Sequence, residues 1–201
     1  MILTLVDYGA GNLPSVERAL RRLGAETKRA TGGAALAGAD AIVLPGVGHF
    51  HALARALAQD GLGRMLRAEV DRGVPLLGIC LGLQAFYERS EESPDELGLG
   101  WLPGVVKPLP TGVKLPHMGW NQLRRRGPSA LLAGIPEDAW FYFAHGYAAL
   151  ETGEEVVAVC EHGVDFVAVI ERGPLYGVQF HPEKSGLAGA AILRNFLELA
   201  R

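Results

Sequence analysis

Residues 74–84 have the sequence VPLLGICLGLQ, in which an apolar run ends at Cys80 between Gly78 and Gly82. The run predicts a buried strand, and the residues behind it predict the start of a helix. The glycines permit a sharp turn because they have no Cβ atom to crowd the backbone. Such a turn is typical of a nucleophile elbow, here with sulfur in place of oxygen, and a helix N-terminus favours the thiolate. The alternative is that Cys80 is a small buried hydrophobic residue, as many free cysteines are.

A second motif, near the C-terminus, decides between these interpretations. Residues 175–180, LYGVQF, predict a strand that leads into His181, Pro182 and Glu183. A cysteine nucleophile needs a base near neutral pH, and the base needs an acceptor that fixes its tautomer. In an extended backbone His181 and Glu183 share a face, so that both can point toward the sulfur. Alone, this motif is typical of a polar loop, but together with Cys80 it predicts a Cys-His-Glu triad.

The first half of the chain alternates short apolar strands with helical patterns. The predicted strands precede the elbow strand at residues 2–6, 26–29 and 41–44. Helices are predicted from Pro14 to a stop at Gly24, and over residues 50–72. This order predicts an α/β fold, flavodoxin-like, in which helices flank a mostly parallel central sheet. The second half is predicted to be rich in β-strands, before a terminal helix at residues 186–200, and residues 1–201 are predicted to form a single domain.

Composition and charge exclude several classes of function. The chain has 201 residues, 49% of them hydrophobic, and a net charge of −3, so nothing global attracts it to nucleic acid or to an anionic membrane. No apolar stretch reaches membrane-spanning length, and the N-terminal strand is too short for a signal peptide, so we expect a cytoplasmic protein. Two cysteines do not suggest a disulfide framework, and Cys160 is interpreted as an inert core residue. The run Arg124-Arg125-Arg126 is interpreted as a solvated turn.

Neither a cofactor nor a metal is predicted. The loop at residues 7–12, DYGAGN, lacks the third glycine of a dinucleotide fingerprint, because Pro14 stands in its place. His49 and His51 lack the further ligands that a metal site requires. Three further histidines are interpreted as isolated structural residues, of which His145 is the one expected near the site: His117, His145 and His162.

The loop at residues 45–48, PGVG, follows a predicted strand and carries two glycines that allow close backbone approach. Its amide groups are predicted to supply half of an oxyanion hole, and the amide of Leu81 to supply the other half. The alternative interpretation of this loop is a plain turn between a strand and a helix. The presence of the cysteine elbow favours the interpretation as half of an oxyanion hole.

With these motifs in place, the chain resembles the class I, triad-type glutamine amidotransferases over essentially its whole length. Within that class, three segments are similar to the glutaminase subunits of imidazole glycerol phosphate synthases, which act in histidine biosynthesis. They are residues 8–12 (YGAGN), 45–48 (PGVG) and 116–121 (PHMGWN). The last of these is the specific one, because the elbow and the closing motif are shared by many amidotransferases.

The resemblance implies that Cys80 attacks the side-chain amide of glutamine and forms a thioester, with His181 as proton carrier and Glu183 as its orienting partner. It also implies an oxyanion hole and a set of substrate contacts. The oxyanion hole would be formed by backbone amides at Val47, Gly48 and Leu81. The substrate contacts would be Gln84, Glu92, His145, Gly146 and Tyr147, with Gly146 at a position where the family usually has serine or threonine.

The resemblance further implies a heterodimer with a cyclase subunit, a β/α barrel that uses the ammonia to form a histidine precursor and AICAR. We expect no acceptor domain in this chain, because only eighteen residues follow Glu183. The predicted contact face comprises Asn12, Trp120, Asn121 and Lys184. Three other interpretations remain open: another glutaminase of the same class, a stand-alone thiol hydrolase, and an inactive regulatory subunit.

Overall fold

The computed structural model describes residues 1–9, 12–150 and 153–201. Ala10 and Gly11 of the YGAGN segment lie outside the described residues. The strands and helices follow one another in the order β1 (Ile2–Val6), α1 (Leu13–Arg22), β2 (Glu26–Ala30), a 3₁₀ helix (Gly33–Leu36), β3 (Ala41–Gly46), α2 (Phe50–Ala58), α3 (Leu62–Asp71), β4 (Leu76–Cys80), α4 (Leu81–Gln84), β5 (Tyr87–Ser90), β6 (Leu102–Pro108), β7 (His117–Gln122), β8 (Arg124–Arg125), β9 (Trp140–His145), β10 (Tyr147–Ala149), β11 (Val156–Glu161), β12 (Asp165–Arg172), β13 (Leu175–Val178), a second 3₁₀ helix (Pro182–Lys184) and α5 (Gly186–Leu199).

A large mixed sheet organises the fold. In the described part of the chain it has eight strands in the order β2-β1-β3-β4-β13-β12-β11-β8. The first five strands are parallel to one another, whereas β12, β11 and β8 each pair antiparallel with the strand before them in this order. Strands β5, β6 and β10 form a second sheet, and β7 pairs with β9. The predicted α/β fold with a mainly parallel sheet and a β-rich second half is therefore confirmed.

Apolar cores cover both faces of the large sheet. On one face, α2 and α3 contribute Leu53 and Leu66 to a buried cluster, and on the other, α1 and α5 contribute Leu20 and Phe196. Every residue of β3 and of β4 is buried, as expected for parallel strands with helices on both sides.

The register of the central strands brings three chain segments to one edge of the sheet. Gly46 at the end of β3 lies opposite Cys80 at the end of β4, and Val178 at the end of β13 lies opposite Ile79. The loop after β3, the elbow after β4 and the residues after β13 therefore meet at the carboxyl ends of adjacent strands. Ligands of open α/β sheets bind at such an edge.

Two sequence predictions about local structure outside the candidate site are wrong. The single helix predicted over residues 50–72 is two helices, because Asp60 and Gly61 adopt left-handed backbone angles, with φ of 48° and 66°. The predicted arginine turn is in part strand β8, whose residues pair with β11 at the edge of the sheet. Among the described residues, no helix is long and apolar enough to cross a membrane.

Candidate active site

Within the elbow, Cys80 itself has a strained backbone conformation. Cys80 has φ 54° and ψ −108°, a conformation that non-glycine residues rarely adopt. The flanking positions are crowded, as predicted for this turn: a Cβ on Gly82 would lie 1.9 Å from the carbonyl oxygen of Leu44. A Cβ on Gly78 would lie 2.7 Å from the Phe86 ring. The glycines therefore let the four-residue helix α4 pack directly against β3 and β4, and this packing holds Cys80 in place.

His181 and Glu183 form a buried pair beside Cys80. Nδ1 of His181 lies 2.9 Å from Oε1 of Glu183, and the two side chains are 2% and 1% exposed. The extended backbone predicted for this pair is wrong, because residues 182–184 form a 3₁₀ helix that folds Glu183 back toward the imidazole. The backbone of His181 is anchored as well, since its N–H donates to the Tyr142 carbonyl at 2.8 Å and its carbonyl accepts from the Ser185 hydroxyl at 2.7 Å.

The surroundings of His181 favour its charged form. Burial lowers the pKa of His181, but hydrogen bonds to Cys80 and Glu183, with the negative charges of both groups, outweigh burial and raise it to about 10. At neutral pH His181 therefore carries a proton next to the sulfur. A protonated imidazole beside a cysteine is the arrangement that a thiol nucleophile requires.

Gln179 also contacts the nucleophile, a role that the sequence analysis did not predict. Its Nε2 donates to the sulfur of Cys80 at 3.5 Å, and its Oε1 accepts from Nε2 of Gln84 at 3.1 Å. Gln84 donates in addition to the carbonyl oxygen of Tyr147 at 2.8 Å. The signal for Gln179 was present in the sequence as a single polar residue in the apolar strand LYGVQF.

A cleft opens at Cys80. Its walls include every predicted oxyanion and substrate residue, namely Val47, Gly48, Leu81, Gln84, Glu92, His145, Gly146 and Tyr147. Glu92 lines the cleft and accepts from the backbone N–H of Phe50 at 2.8 Å, whereas its neighbour Glu91 is exposed. A Cβ on Gly146 would lie 4.0 Å from Cβ of Pro116, so sterics do not exclude a serine or threonine at that position.

The predicted contact residues lie in three different settings. Trp120 is 52% exposed and makes an edge-to-face contact with the ring of Tyr142. The ammonium group of Lys184 lies over the same Tyr142 ring, 5.7 Å from its centroid. Asn121 instead points inward, and its amide donates to the carbonyl of Glu161 at 3.0 Å. Asn12, which is half-buried, precedes α1 and makes no side-chain cap to that helix.

Histidines that were predicted to be isolated are in contact with one another. The His117 and His162 rings stack at 4.1 Å between centroids, and Nδ1 of His117 lies 3.1 Å from Nε2 of His145. Elsewhere, His49 accepts from the backbone N–H of His51, whose ring pairs with a glutamate. The described residues contain no group of three or more histidine, cysteine or acidic side chains arranged to hold a metal ion.

Comparison with known proteins agrees with this geometry. The family model described as "Glutamine amidotransferase class-I" matches residues 4–200, so the chain belongs to that family. Solved structures with the same fold include a glutamine amidotransferase (TM-score 0.80, 24% identity, covering 100% of this chain and 99% of that one) and PurLQS from Thermotoga maritima (TM-score 0.79, 20% identity, covering 100% and 99%). At these identities the structural likeness shows the fold alone.

Curated relatives identify the branch of the family. The protein from Moorella thermoacetica is 49% identical over 99% of this chain and 95% of its own length, and that from Methanothermobacter thermautotrophicus is 46% identical over 100% of both chains. A third, from Xanthomonas axonopodis pv. citri, is 48% identical over 98% of each. All three are named imidazole glycerol phosphate synthase subunit HisH, and the chain is a member of this HisH family.

Proposed function

We propose that this protein hydrolyses the side-chain amide of glutamine through a thioester on Cys80. The observation that carries the proposal is the buried pair of His181 and Glu183, 2.9 Å apart, beside the sulfur of Cys80, which itself lines the cleft. Membership of the class I glutamine amidotransferases supports the same chemistry.

In the first half of the reaction, the Cys80 thiolate forms a bond to the amide carbon of glutamine, and the carbonyl oxygen becomes an oxyanion. Backbone N–H groups at Val47, Gly48 and Leu81, which line the cleft, are proposed to stabilise that charge. His181 then gives its proton to the departing nitrogen, the carbon–nitrogen bond breaks, and ammonia leaves a glutamyl thioester behind.

In the second half, His181 removes a proton from water, and the resulting hydroxide attacks the thioester carbon. The carbon–sulfur bond breaks, glutamate leaves, and the Cys80 thiolate and the imidazolium are restored. Glu183 keeps the imidazole in one orientation throughout. Glu92 is proposed to bind the α-ammonium group of glutamine, because this acidic residue lines the same cleft as the sulfur.

The ammonia is proposed to pass to a separate cyclase subunit, a β/α barrel of histidine biosynthesis in the cytoplasm. Ammonia released into water at neutral pH is mostly protonated and no longer nucleophilic, so a docked acceptor protects it. The HisH relatives are themselves named as subunits. The face formed by β7 and β9 suits such a partner, because its exposed side includes Met118, Trp120 and Trp140, each more than half exposed, and its residue Ala144 lines the cleft.

The experiment measures glutamate released from glutamine, with and without the cyclase subunit and its nucleotide ligand. Cys80→Ala tests the nucleophile, and Cys160→Ala is the matched control, because Cys160 is buried away from the cleft in strand β11. We expect glutamate release that rises with the liganded partner, disappears in Cys80→Ala and survives in Cys160→Ala. Full activity that no partner changes indicates a stand-alone hydrolase, and activity in Cys80→Ala overturns the mechanism.

A further inference from the structure

A chain of hydrogen bonds runs from strand β7 to the candidate active site. Asn121 lies 3.4 Å from Nε2 of His117, whose Nδ1 lies 3.1 Å from Nε2 of His145. Nδ1 of His145 lies 2.9 Å from the carbonyl oxygen of Tyr147. Both imidazoles are buried, with 5% and 6% of their surface exposed, so these bonds are shielded from water.

The carbonyl oxygen of Tyr147 determines the direction of every bond in this chain. A carbonyl only accepts, so Nδ1 of His145 carries a hydrogen and, in the neutral ring, Nε2 accepts. Nδ1 of His117 must then donate to His145, and Nε2 of His117 must accept from the Asn121 amide. Both rings are neutral, because burial, together with the neighbouring histidines, lowers the pKa of His145 to about 3 and that of His117 to about 4.

The same carbonyl joins this chain to the nucleophile. The Tyr147 carbonyl also accepts from Gln84, Gln84 donates to Gln179, and Gln179 donates to the sulfur of Cys80. In order from the surface strand to the sulfur, the connected groups are Asn121, His117, His145, the Tyr147 carbonyl, Gln84, Gln179 and Cys80.

We propose that His117 and His145 are positioning residues that link β7 to the glutaminase site. By fixing the Tyr147 carbonyl they hold Gln84 and Gln179 in place against the nucleophile. The inference rests on the proposed glutaminase function. Side chains alternate along β7, so that His117 and Asn121 face inward while Met118 and Trp120 are exposed on the other face. A displacement of β7 by a protein docked on Trp120 therefore moves the first two donors of the chain.

Two substitutions at one position separate hydrogen bonding from packing. His117→Phe keeps a ring for stacking against His162 and Phe143 but removes the donor to His145. His117→Asn loses the ring but keeps an N–H close to the place of Nδ1. His162→Phe is the matched control, because His162 stacks in the same cluster. Its own hydrogen bond goes to the Lys114 carbonyl, which is not one of the groups that connect Asn121 to Cys80.

We expect His117→Phe to lower kcat/KM for glutamine between about 10-fold and 100-fold, as small displacements of positioned groups do. His117→Asn is expected to recover most of that loss, and His162→Phe to behave as the wild type. If His117→Phe retains wild-type activity, or if the Asn variant is the more impaired of the two, the cluster only packs and the proposal is overturned.

The tautomers give a second test that needs no activity. Nitrogen-15 NMR of the imidazoles at pH 7 is expected to show neutral His145 and His117, each with its hydrogen on Nδ1. A hydrogen on Nε2 of His145, or a charged ring, overturns the chain of bonds whatever the kinetics show. A wild-type protein that shows these tautomers but releases no glutamate even with the liganded cyclase subunit overturns the proposed function instead, because the hydrogen bonds would then be intact in a protein that is not a glutaminase.

Discussion

His181 is held by contacts on both sides of its ring and on its backbone. Burial alone lowers the pKa of a histidine, yet the contacts with Cys80 and Glu183 raise that of His181 to about 10. The electrostatic contribution of these neighbours is therefore larger than the cost of desolvating the imidazolium. Cys80 makes the larger contribution and Glu183, whose side chain is 1% exposed, the second, so the charge of His181 depends on both neighbours.

Glu183→Gln is expected to lower kcat by about a hundredfold or more, because the amide no longer stabilises the imidazolium or its tautomer. The variant is also expected to be less stable than the wild type by about 2 kcal/mol near pH 6. The folded-state pKa of about 10 exceeds the ordinary value of 6.5, so the stabilisation is complete below pH 6.5 and is lost as the pH rises through about 10.

Urea unfolding of both proteins at several pH values between 6 and 10 measures this effect. The difference in the free energy of unfolding should shrink as the pH increases. A difference that stays constant, or grows, across that range contradicts the assigned ion pair. Glu17→Gln is the matched control, because it removes a carboxylate that is paired with Arg29, and neither group of that pair titrates between pH 6 and 10. Its difference from the wild type should stay constant.

The two cysteines should react differently with alkylating reagents. Burial raises the pKa of the Cys160 thiol to about 12, and only 1% of the residue is exposed, whereas Cys80 lines the cleft beside the charged His181. Iodoacetamide at pH 8 is expected to modify Cys80 at least about ten times faster, and glutamine to slow that reaction. Peptide mass spectrometry gives both rates in one sample, and comparable rates at the two thiols are the contradicting result.

At the level of secondary structure, the elbow works as one packed unit of β3, β4 and α4. Helix α4 has only four residues and is held in place by contact with the strands rather than by its own length. Gly46, Gly78 and Gly82 permit this contact, because a Cβ on any of them would lie within 2.7 Å of a neighbouring atom.

Gly82→Ala is expected to destabilise the protein by at least about 3 kcal/mol, because its Cβ would lie 1.9 Å from a backbone oxygen that cannot rotate away. Gly127→Ala is the matched control: no atom lies within 4 Å of its Cβ position, and we expect a change of less than about 0.5 kcal/mol. Thermal unfolding of the two variants measures the difference. Equal melting temperatures would show that α4 does not pack on β3 as described.

In the molecule as a whole, the site depends on residues that are far apart in sequence. Cys80 ends β4 and His181 follows β13, and the parallel pairing of these two strands brings the sulfur and the imidazole together. The backbone of His181 is in turn bonded to Tyr142 of β9, on whose ring Trp120 packs. The exposed β7–β9 face is therefore separated from the proposed base by one residue, Tyr142.

Trp120→Ala is expected to weaken binding of the cyclase subunit about tenfold or more, since an exposed tryptophan in an apolar face is a typical hot spot. Isothermal titration with the cyclase subunit measures the affinity. Ile2→Ala is the matched control, because Ile2 is also exposed but lies at the opposite end of β1 from the cleft, and we expect no change. Equal affinities for the two variants would remove Trp120 from the proposed interface.

Features whose signal lies in neighbouring residues could be predicted from the sequence. The strands of the first half, the elbow at Cys80, the closing motif at His181 and the stop at Gly24, which has φ 84°, all follow from short patterns of apolar residues and glycines. The helix break at residues 59–61 also has a local signal, the turn dipeptide Asp60-Gly61, but the helical spacing of apolar residues on either side of it predicts one continuous helix.

Only the tertiary structure shows which residues, distant in sequence, share a site. The bonds from Gln179 to Cys80 and from His117 to His145 join residues 99 and 28 positions apart in the chain. No local pattern encodes such pairs, because they depend on strand register and on which side chains are left to satisfy one another once water is excluded. Exclusion of water keeps His117 and His145 neutral, whereas at His181 the contacts with Cys80 and Glu183 outweigh it. Both burial and these contacts exist only after the sheet and its helices have packed.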